Sequence, residues 1–268
     1  MIRNPDAKNY NKTHLPMDIA EERQILHRDY LAHCLRWSHV IKNCKIGERV
    51  LDLGAADGPL GMALYTNKFK PELYLGCDIR ESMCDKGYEK LAQCRWAEFL
   101  CVDLCKNFDH VVKKWFELSK RKDPTIITSF EFIEHIPEKE VEPFLINVRK
   151  LMNIDTLFFL STPCYDGKNK AGNHVKEWTY SELRTLLEKH FTIEAHFGTF
   201  MSQKDLKAIP NINRYASAIL EAQVRNNNPL PSLFEALREY YDSNLLSILF
   251  APLFPNWSRN CIWRLRSC

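Results

Sequence analysis

A glycine-containing turn follows one apolar segment of the chain, and acidic residues follow the next two. The turn spans Gly54 to Gly58 in VLDLGAADGPLG, and the acids are Asp78 in YLGCD and Asp103 in FLCVD. The glycines let the backbone turn sharply and approach a ligand, and a helix opening at Pro59 directs free N–H groups toward negative charge. Asp78 can accept both hydroxyls of a ribose, and Asp103 can receive the exocyclic amine of an adenine. The alternative is a tight turn without a ligand and two solvated loop carboxylates.

The turn departs from two common phosphate-binding patterns. No GxxxxGK[ST] string, which a P-loop requires, occurs in the chain. The small residues are ordered Gly54-x-Ala56-x-Gly58 instead of GxGxxG, and an acid, Asp52, precedes the turn. The phosphate-binding and dehydrogenase alternatives are therefore the weaker ones.

Acids and histidines form a second group of residues that could do chemistry. Glu131, Glu134 and His135 lie in SFEFIEHIP, and His174 begins HVKEWT. Side chains of these types serve as general acids, general bases or metal ligands. Glu134 and His135 are the candidate catalytic residues, and the alternative is that His135 only caps a loop.

These motifs lie on a predicted alternation of strands and helices. Strands are predicted at 49–53, 73–77, 98–102, 125–129, 156–160, 191–197 and 260–264, and helices at 82–92, 108–118 and 138–152. Further helices are predicted to open at Pro59 and after Thr179, which has Glu182 at the S/T-x-x-E position of a capping box. The alternation predicts an α/β fold, a largely parallel seven-stranded sheet with helices on both faces.

The pattern predicts a single domain over residues 1–268. Residues 1–44 are expected to hold an irregular arm and a long helix capped by Asp18, and residues 45–200 with 257–268 to form the core. Residues 201–256 break the alternation and are predicted to form a helical insertion, with helices at 215–224 and 232–250. This insertion is either a lid over a substrate or a pad that only covers the sheet edge.

Composition and charge exclude several classes of protein. Of the 268 residues, 45% are hydrophobic and 26% charged, which excludes disordered and fibrous chains, while a net charge of +3 neither requires nor forbids a nucleic-acid partner. The ten cysteines are scattered without a CxxC pair, which favours a reducing compartment. The N-terminal residues lack the apolar run of a signal peptide, and the most apolar run, at 245–254, is too short to span a bilayer. We therefore expect a cytoplasmic location and no membrane span.

The ordered set VLDLGAADG, YLGCD, FLCVD and SFEFIEH resembles the class I S-adenosylmethionine-dependent methyltransferases over about residues 48–200 and the last strand. The resemblance implies a Rossmann-like fold and S-adenosylmethionine as cofactor. It implies that Asp52 lies under the methionine end of the cofactor, and that Asp78 takes the ribose hydroxyls. The other implied cofactor-binding residues are Gly54, Ala56 and Gly58 along the carboxypropyl and ribose flank, Asp103 and Leu104 at the adenine, and Ile79 and Glu131. Ala56 stands where the family most often has glycine.

The EFIEH and HVKEWT motifs are similar to those of ubiquinone-pathway O-methyltransferases and small-RNA 2′-hydroxyl methyltransferases. Both resemblances imply that Glu131, Glu134, His135 and His174 surround a divalent metal, Mg²⁺, Mn²⁺ or Zn²⁺. Such a metal would bind the acceptor hydroxyls and lower their pKa. The alternative is a site without metal in which His135 acts as a general base.

The resemblance implies methyl transfer to an oxygen of a hydroxyl-bearing small molecule or of a nucleic-acid end. The alternatives are an RNA or DNA methyltransferase acting on ribose or base, and an inactive cofactor-binding partner protein. No [DNS]PP[YFW] turn follows the fourth predicted strand, which disfavours methylation of exocyclic amines in DNA.

Overall fold

The computed structural model describes residues 28–45, 47–165, 167–168, 170–201, 248 and 251–268. Its helices α1 to α6 are Arg28–Asn43, Pro59–Thr66, Glu81–Lys90, Phe108–Leu118, Glu138–Leu151 and Tyr180–Glu188. Its strands β1 to β7 are Arg49–Leu53, Leu73–Asp78, Ala97–Cys101, Ile126–Phe130, Leu157–Pro163, Phe191–Phe200 and Asn260–Ser267. The predicted arm, the cap at Asp18 and nearly all of the two helices predicted for the insertion lie outside the described residues.

The strands form one sheet in the order β3-β2-β1-β4-β5-β7-β6. Strands β3, β2, β1, β4 and β5 run parallel to one another, and β7 is antiparallel to both β5 and β6. The predicted seven-stranded, largely parallel sheet is therefore confirmed. The strand order reverses at β1, and this reversal opens a crevice between the carboxyl ends of β1 and β4, where α/β proteins bind ligands.

Helices cover both faces of the sheet, as predicted, which explains the nearly continuous apolar runs in the central strands. On one face α4, α5 and α6 pack around Trp115 and Phe144. On the other face α1, α2 and α3 pack around Tyr74 and Phe99. In the described part of the chain, no helix has the length and apolar character needed to cross a bilayer.

Local signals set several of the boundaries. Helix α4 has the predicted bounds, 108–118, and α6 begins with the predicted capping box. In that box Thr179 Oγ1 accepts from the Glu182 N–H at 3.3 Å, and Glu182 Oε2 accepts from the Thr179 N–H at 2.8 Å. Strand β3, by contrast, ends at Cys101, so Asp103 lies in the following loop and not at the strand end as predicted.

The described end of the predicted insertion packs directly on β6. A Cβ at Gly198 would lie 1.8 Å from Ser258 Oγ and 2.3 Å from the Ala251 carbonyl oxygen. The pairing of β6 with β7 shifts register at the same place, between Gly198 and Phe200. Only a residue without a side chain lets the 251–258 segment approach the strand this closely.

The ring of Phe99 lies against three glycines, where added Cβ atoms at Gly58, Gly76 and Gly87 would stand 2.6, 2.8 and 2.4 Å from ring atoms. Alanine is favoured over glycine in a helix by about 1 kcal/mol, but overpacking a core costs about 1–3 kcal/mol or more. Because a Cβ 2.4 Å from the ring places the overpacking cost at the upper end of that range, we expect Gly87→Ala in α3 to lower the free energy of unfolding by a net amount of about 2 kcal/mol, measured by urea denaturation.

The matched control is Lys86→Ala, at an exposed position of the same helix, which should leave stability nearly unchanged. In a Phe99→Leu background the loss from Gly87→Ala should shrink. An equal loss in both backgrounds would show that the ring is not its cause.

Candidate functional site

The glycine turn wraps around the carboxyl end of β2. The N–H groups of Gly54 and Ala55 donate to the Cys77 carbonyl at 2.9 and 2.8 Å, and the Ala56 N–H donates to Asp78 Oδ2 at 3.0 Å. Gly54 and Ala56 have φ angles of 83° and 47°, the left-handed region that L side chains rarely adopt. The carboxylate of Asp78 is therefore hydrogen-bonded to the backbone of the turn.

Side-chain space reinforces this conformation of the turn. A Cβ at Gly54 would lie 2.9 Å from the Phe132 ring, and one at Gly58 would lie 2.6 Å from the Phe99 ring. Gly58 also has a positive φ of 75° and caps α2, which begins at Pro59. Both glycines are thus required by conformation and by close packing.

Asp78 is the last residue of β2, and its carboxylate is only 7% exposed. Its Oδ1 accepts from the Arg80 backbone N–H at 2.9 Å and from Arg80 Nε at 3.1 Å. The next residue, Ile79, is 63% exposed although it is large and apolar. A carboxylate and an exposed apolar surface therefore lie side by side at the end of β2.

Asp52 lies deeper, within β1. Its Oδ2 accepts from the Tyr74 hydroxyl at 2.8 Å, and its Oδ1 accepts from Thr128 Oγ1 at 2.7 Å. Burial raises the pKa of Asp52 to about 6, although both hydrogen bonds favour the charged form. Its contacts are with the neighbouring strands β2 and β4, beneath the glycine turn.

The two residues predicted at an adenine lie beyond the end of β3. Asp103 Oδ1 accepts from the backbone N–H groups of Cys105 and Lys106 at 3.0 and 3.3 Å, and Oδ2 pairs with Lys106 Nζ at 3.2 Å. The side chain of Leu104 is 3% exposed and belongs to the core on the α4 side. A ligand contact from Leu104 would therefore come from its main chain.

Glu131 follows β4 with a φ of 52°, a strained value for a residue other than glycine. Its Oε1 accepts from Ser161 Oγ at 2.8 Å and pairs with Arg36 Nη2 at 3.2 Å, while Asn260 Nδ2 lies 2.9 Å from both carboxylate oxygens. Burial raises the pKa of Glu131, but Arg36, Asn260 and Ser161 outweigh this and hold it below its usual value. Three elements, α1, β5 and β7, thus fix one carboxylate.

Sequence reasoning missed Arg36 and Asn260 as members of this site. Arg36 is 2% exposed and lies on α1 between Ala32 and Val40, both fully buried. A cation at helical spacing within an apolar stripe must find an anionic partner. That pattern was the available signal for Arg36, whereas nothing local marks Asn260.

Glu134, His135 and His174 come together, with one ligand atom of each lying within 4.8 Å of the others. Glu134 is fully buried, and its Oε2 accepts from Thr162 Oγ1 at 2.9 Å. Its Oε1 has no hydrogen-bond partner among the described residues. Burial and the nearby charge of Glu131 raise the pKa of Glu134 well above its usual value. A cation would satisfy this buried oxygen, so the three residues fit a metal site.

Neither histidine ring is free to turn. His174 Nδ1 lies 2.6 Å from Glu177 Oε1, and His135 Nδ1 lies 3.2 Å from the Asn173 carbonyl oxygen. The ring centroids are 4.9 Å apart at 82°. Burial lowers the pKa of His135, so that its ring is neutral near pH 7. The structure thus joins three of the four predicted metal ligands, while the fourth, Glu131, is engaged by Arg36, Ser161 and Asn260.

Comparison with known proteins gives a family and a fold. Residues 20–209 match the family model described as a methyltransferase domain. No curated protein matches the sequence. Among solved structures, the small RNA methyltransferase HEN1 is 16% identical with a TM-score of 0.54, over 88% of this chain and 25% of that chain. The chain therefore spans about a quarter of the length of HEN1.

Two further structures match along most of their own length. The methyltransferase domain of bacterial CtHen1-CN is 16% identical with a TM-score of 0.51, over 88% of this chain and 99% of that chain. The N-methyltransferase NodS from Bradyrhizobium japonicum WM9, solved with S-adenosyl-L-homocysteine, is 10% identical with a TM-score of 0.51, over 90% of this chain and 86% of that chain. At these identities the likeness is one of fold.

The Arg36–Glu131 pair yields a test of this site. We expect Arg36→Met to lower the free energy of unfolding at pH 7 by about 3 kcal/mol, since it leaves a largely buried carboxylate without its cation. Urea denaturation would measure the loss, and Arg36→Met with Glu131→Gln should recover part of it.

The pH dependence of this effect has a definite sign. The folded-state pKa of Glu131 is depressed, so its stabilising contribution is present above the unfolded value of about 4.3 and is lost as pH falls through the folded value. The difference in free energy of unfolding between wild type and Arg36→Met should therefore become smaller below about pH 4. If this difference stayed constant down to pH 3, the ion pair would not be its origin.

Proposed function

We propose that this chain, which belongs to the family of methyltransferase domains, is a class I S-adenosylmethionine-dependent methyltransferase. It methylates a hydroxyl oxygen of its acceptor with a divalent cation held by Glu134, His135 and His174. The observation that carries the proposal is the buried Glu134 Oε1, which lacks a hydrogen-bond partner among the described residues and faces two histidines. A buried carboxylate oxygen without a hydrogen bond is energetically costly, and a bound cation would remove that cost.

For the cofactor, we propose that S-adenosylmethionine lies across the carboxyl ends of β1 and β2. Gly54, Ala56 and Gly58 offer backbone that can approach its methionine and ribose parts closely. Asp78 binds the ribose hydroxyls, because each carboxylate oxygen can accept more than one hydrogen bond. Ile79 offers its exposed side chain to the adenine.

The remaining predicted cofactor residues are Asp52, Asp103 and Glu131, and we assign them less direct roles in cofactor binding. Both oxygens of Asp52 are engaged by Tyr74 and Thr128, so its role is to hold the turn in place beneath the methionine end. Asp103 is near the surface and can receive the adenine amine with a shift of Lys106. Glu131 directly follows β4, and its charge acts on the proposed ligand Glu134.

At the acceptor, a bound divalent cation would act as a Lewis acid that lowers the pKa of a coordinated hydroxyl. Glu134 supplies the negative charge that attracts the cation, and the two imidazoles supply neutral nitrogen ligands that suit Mn²⁺ or Zn²⁺ as well as Mg²⁺. In the alternative without a cation, the lone pair of the neutral His135 ring would be free to accept the hydroxyl proton. In the transfer, the C–O bond to the methyl group would form as the methyl–sulfonium C–S bond breaks, S-adenosylhomocysteine would be released, and the hydroxyl proton would pass to solvent.

Two acceptor classes carry hydroxyls that such a centre could bind. A hydroxyl-bearing small molecule is the first, and a nucleic-acid end, whose terminal ribose carries neighbouring hydroxyls, is the second. The EFIEH and HVKEWT motifs support both, because they are similar to those of ubiquinone-pathway O-methyltransferases and of small-RNA 2′-hydroxyl methyltransferases. Methyl transfer from labelled cofactor to RNA, and to small polyols and catechols, separates the two.

We expect Asp78→Ala to weaken S-adenosylmethionine binding by about 1.5–3 kcal/mol, the scale of a hydrogen bond to a charged group. Isothermal titration calorimetry measures this directly. Asp85→Ala, at an exposed position of α3, is the matched control and should bind as wild type does. Unchanged affinity in folded Asp78→Ala protein would refute the ribose role.

We expect EDTA to abolish methyl transfer and one of Mg²⁺, Mn²⁺ or Zn²⁺ to restore it. Glu134→Gln should lose cation binding and activity while keeping cofactor affinity, because its carboxylate is the only full charge of the three-residue site. Glu140→Gln, five residues after His135, is the control. Full activity in EDTA would instead favour His135 as a general base without metal.

A further inference from the structure

We propose that Glu177 is a positioning residue that fixes the ring of His174, so that its Nε2 is presented to Glu134 and His135. The proposal rests on the proposed cation site and deepens it, since Glu177 itself touches neither acceptor nor cofactor. It would explain how a loop residue far from β4 in sequence becomes a well-oriented ligand.

The contact itself is buried and short. The side chains of His174 and Glu177 are 13% and 7% exposed, and His174 Nδ1 lies 2.6 Å from Glu177 Oε1. The same oxygen accepts from the Ala171 backbone N–H at 3.0 Å, which anchors the carboxylate. An ionised carboxylate can only accept, so in the neutral ring Nδ1 carries the proton and Nε2 keeps its lone pair.

The second histidine is held in the same way by the same segment. His135 Nδ1 lies 3.2 Å from the Asn173 carbonyl oxygen, which also can only accept. Its Nε2 lies on the opposite side of the ring, 4.0 Å from Glu134 Oε1. Each ring thus uses Nδ1 for orientation and leaves Nε2 for the shared centre, the arrangement by which outer partners orient metal-binding histidines.

Residues 171–178, which we call the docking segment, are held by backbone hydrogen bonds at two points. The Val175 N–H donates to the Glu134 carbonyl oxygen at 2.7 Å, so the segment is bonded to the backbone of a proposed ligand. At its far end the Tyr165 N–H donates to the Trp178 carbonyl oxygen at 2.7 Å, and the Trp178 side chain is 4% exposed. Glu177 therefore sits on a backbone that cannot shift easily, which is what a positioning residue needs.

A purely structural role for Glu177 makes different predictions. If the Glu177 carboxylate only stabilised the docking segment, its loss would lower the stability of the protein without changing the tautomer or orientation of the His174 ring. Lys170 provides the comparison, because its Nζ donates to the Val175 carbonyl oxygen at 2.8 Å and so ties the same segment without touching a histidine. Lys170→Met is the matched control for Glu177→Gln.

The experiment measures Mn²⁺ affinity by electron paramagnetic resonance on the full chain, without acceptor, in wild type, Glu177→Gln and Lys170→Met. We expect Glu177→Gln to bind Mn²⁺ about 10–100-fold more weakly, the usual effect of losing an outer partner of a metal ligand. Lys170→Met should stay within about threefold of wild type, and S-adenosylmethionine affinity should be unchanged in both. Wild-type Mn²⁺ affinity in folded Glu177→Gln protein would overturn the proposal.

A second measurement, on protein without metal, separates this proposal from the cation site. Nitrogen-15 NMR of the histidine rings should show His174 as the Nδ1–H tautomer in wild type. This preference should weaken in Glu177→Gln, because an amide is a weaker acceptor than a carboxylate and can also donate to Nδ1. If wild type binds no Mn²⁺, the cation proposal fails, while the tautomer still decides whether Glu177 orients the ring. Should Glu177→Gln not fold, an Nε2–H tautomer of His174 in wild type would overturn the proposal by itself.

Discussion

The geometry of the whole site depends on one buried carboxyl group at the centre of the sheet. Asp52 in β1 binds the Tyr74 hydroxyl of β2 on one side and the Thr128 hydroxyl of β4 on the other. A carboxylate in this position is costly unless it is hydrogen-bonded, so its two partners set the relative position of the three strands. The glycine turn, Asp78 and the segment that begins at Glu131 all start from the ends of these strands.

The site has two parts, one at the ends of β1 and β2 and one at the end of β4, and they differ in how the negative charge of their carboxylates is balanced. On the β1 and β2 side, the carboxylate of Asp78 is balanced by backbone N–H groups and the side chain of Arg80. On the β4 side, two carboxylates stand close together, and among the described residues Arg36 forms a salt bridge with Glu131 but none links Glu134 to a lysine or arginine. In the proposed function, a bound cation would balance the charge that Glu134 carries once it loses its proton.

Local signals in the sequence were enough to predict the fold and the position of Asp78 at the end of β2, but Asp103 lies beyond the end of β3. The helix at 108–118, the capping box of Thr179 and the sharp turn at Gly54 each depend on residues a few positions apart. The orientation of Glu131 depends instead on α1 and on β7, which lies more than a hundred residues later, so no local pattern specifies it. The contact of His174 with Glu177 is local in sequence. Its relation to Glu134 is visible only in the fold, where the docking segment is hydrogen-bonded to the Glu134 backbone.

Glu131 pairs with Arg36, whereas Glu134 is a proposed cation ligand, and this difference affects the charge of the proposed centre. With Glu131 neutralised by Arg36, the proposed ligands Glu134, His135 and His174 carry one negative charge in total when both rings are neutral. A divalent cation held by them leaves the centre with a net positive charge. A net positive centre favours the ionised form of a coordinated hydroxyl, whereas a second free carboxylate would cancel that effect. Arg36 in α1, distant in sequence from every proposed ligand, therefore contributes to how strongly the site can activate an acceptor oxygen.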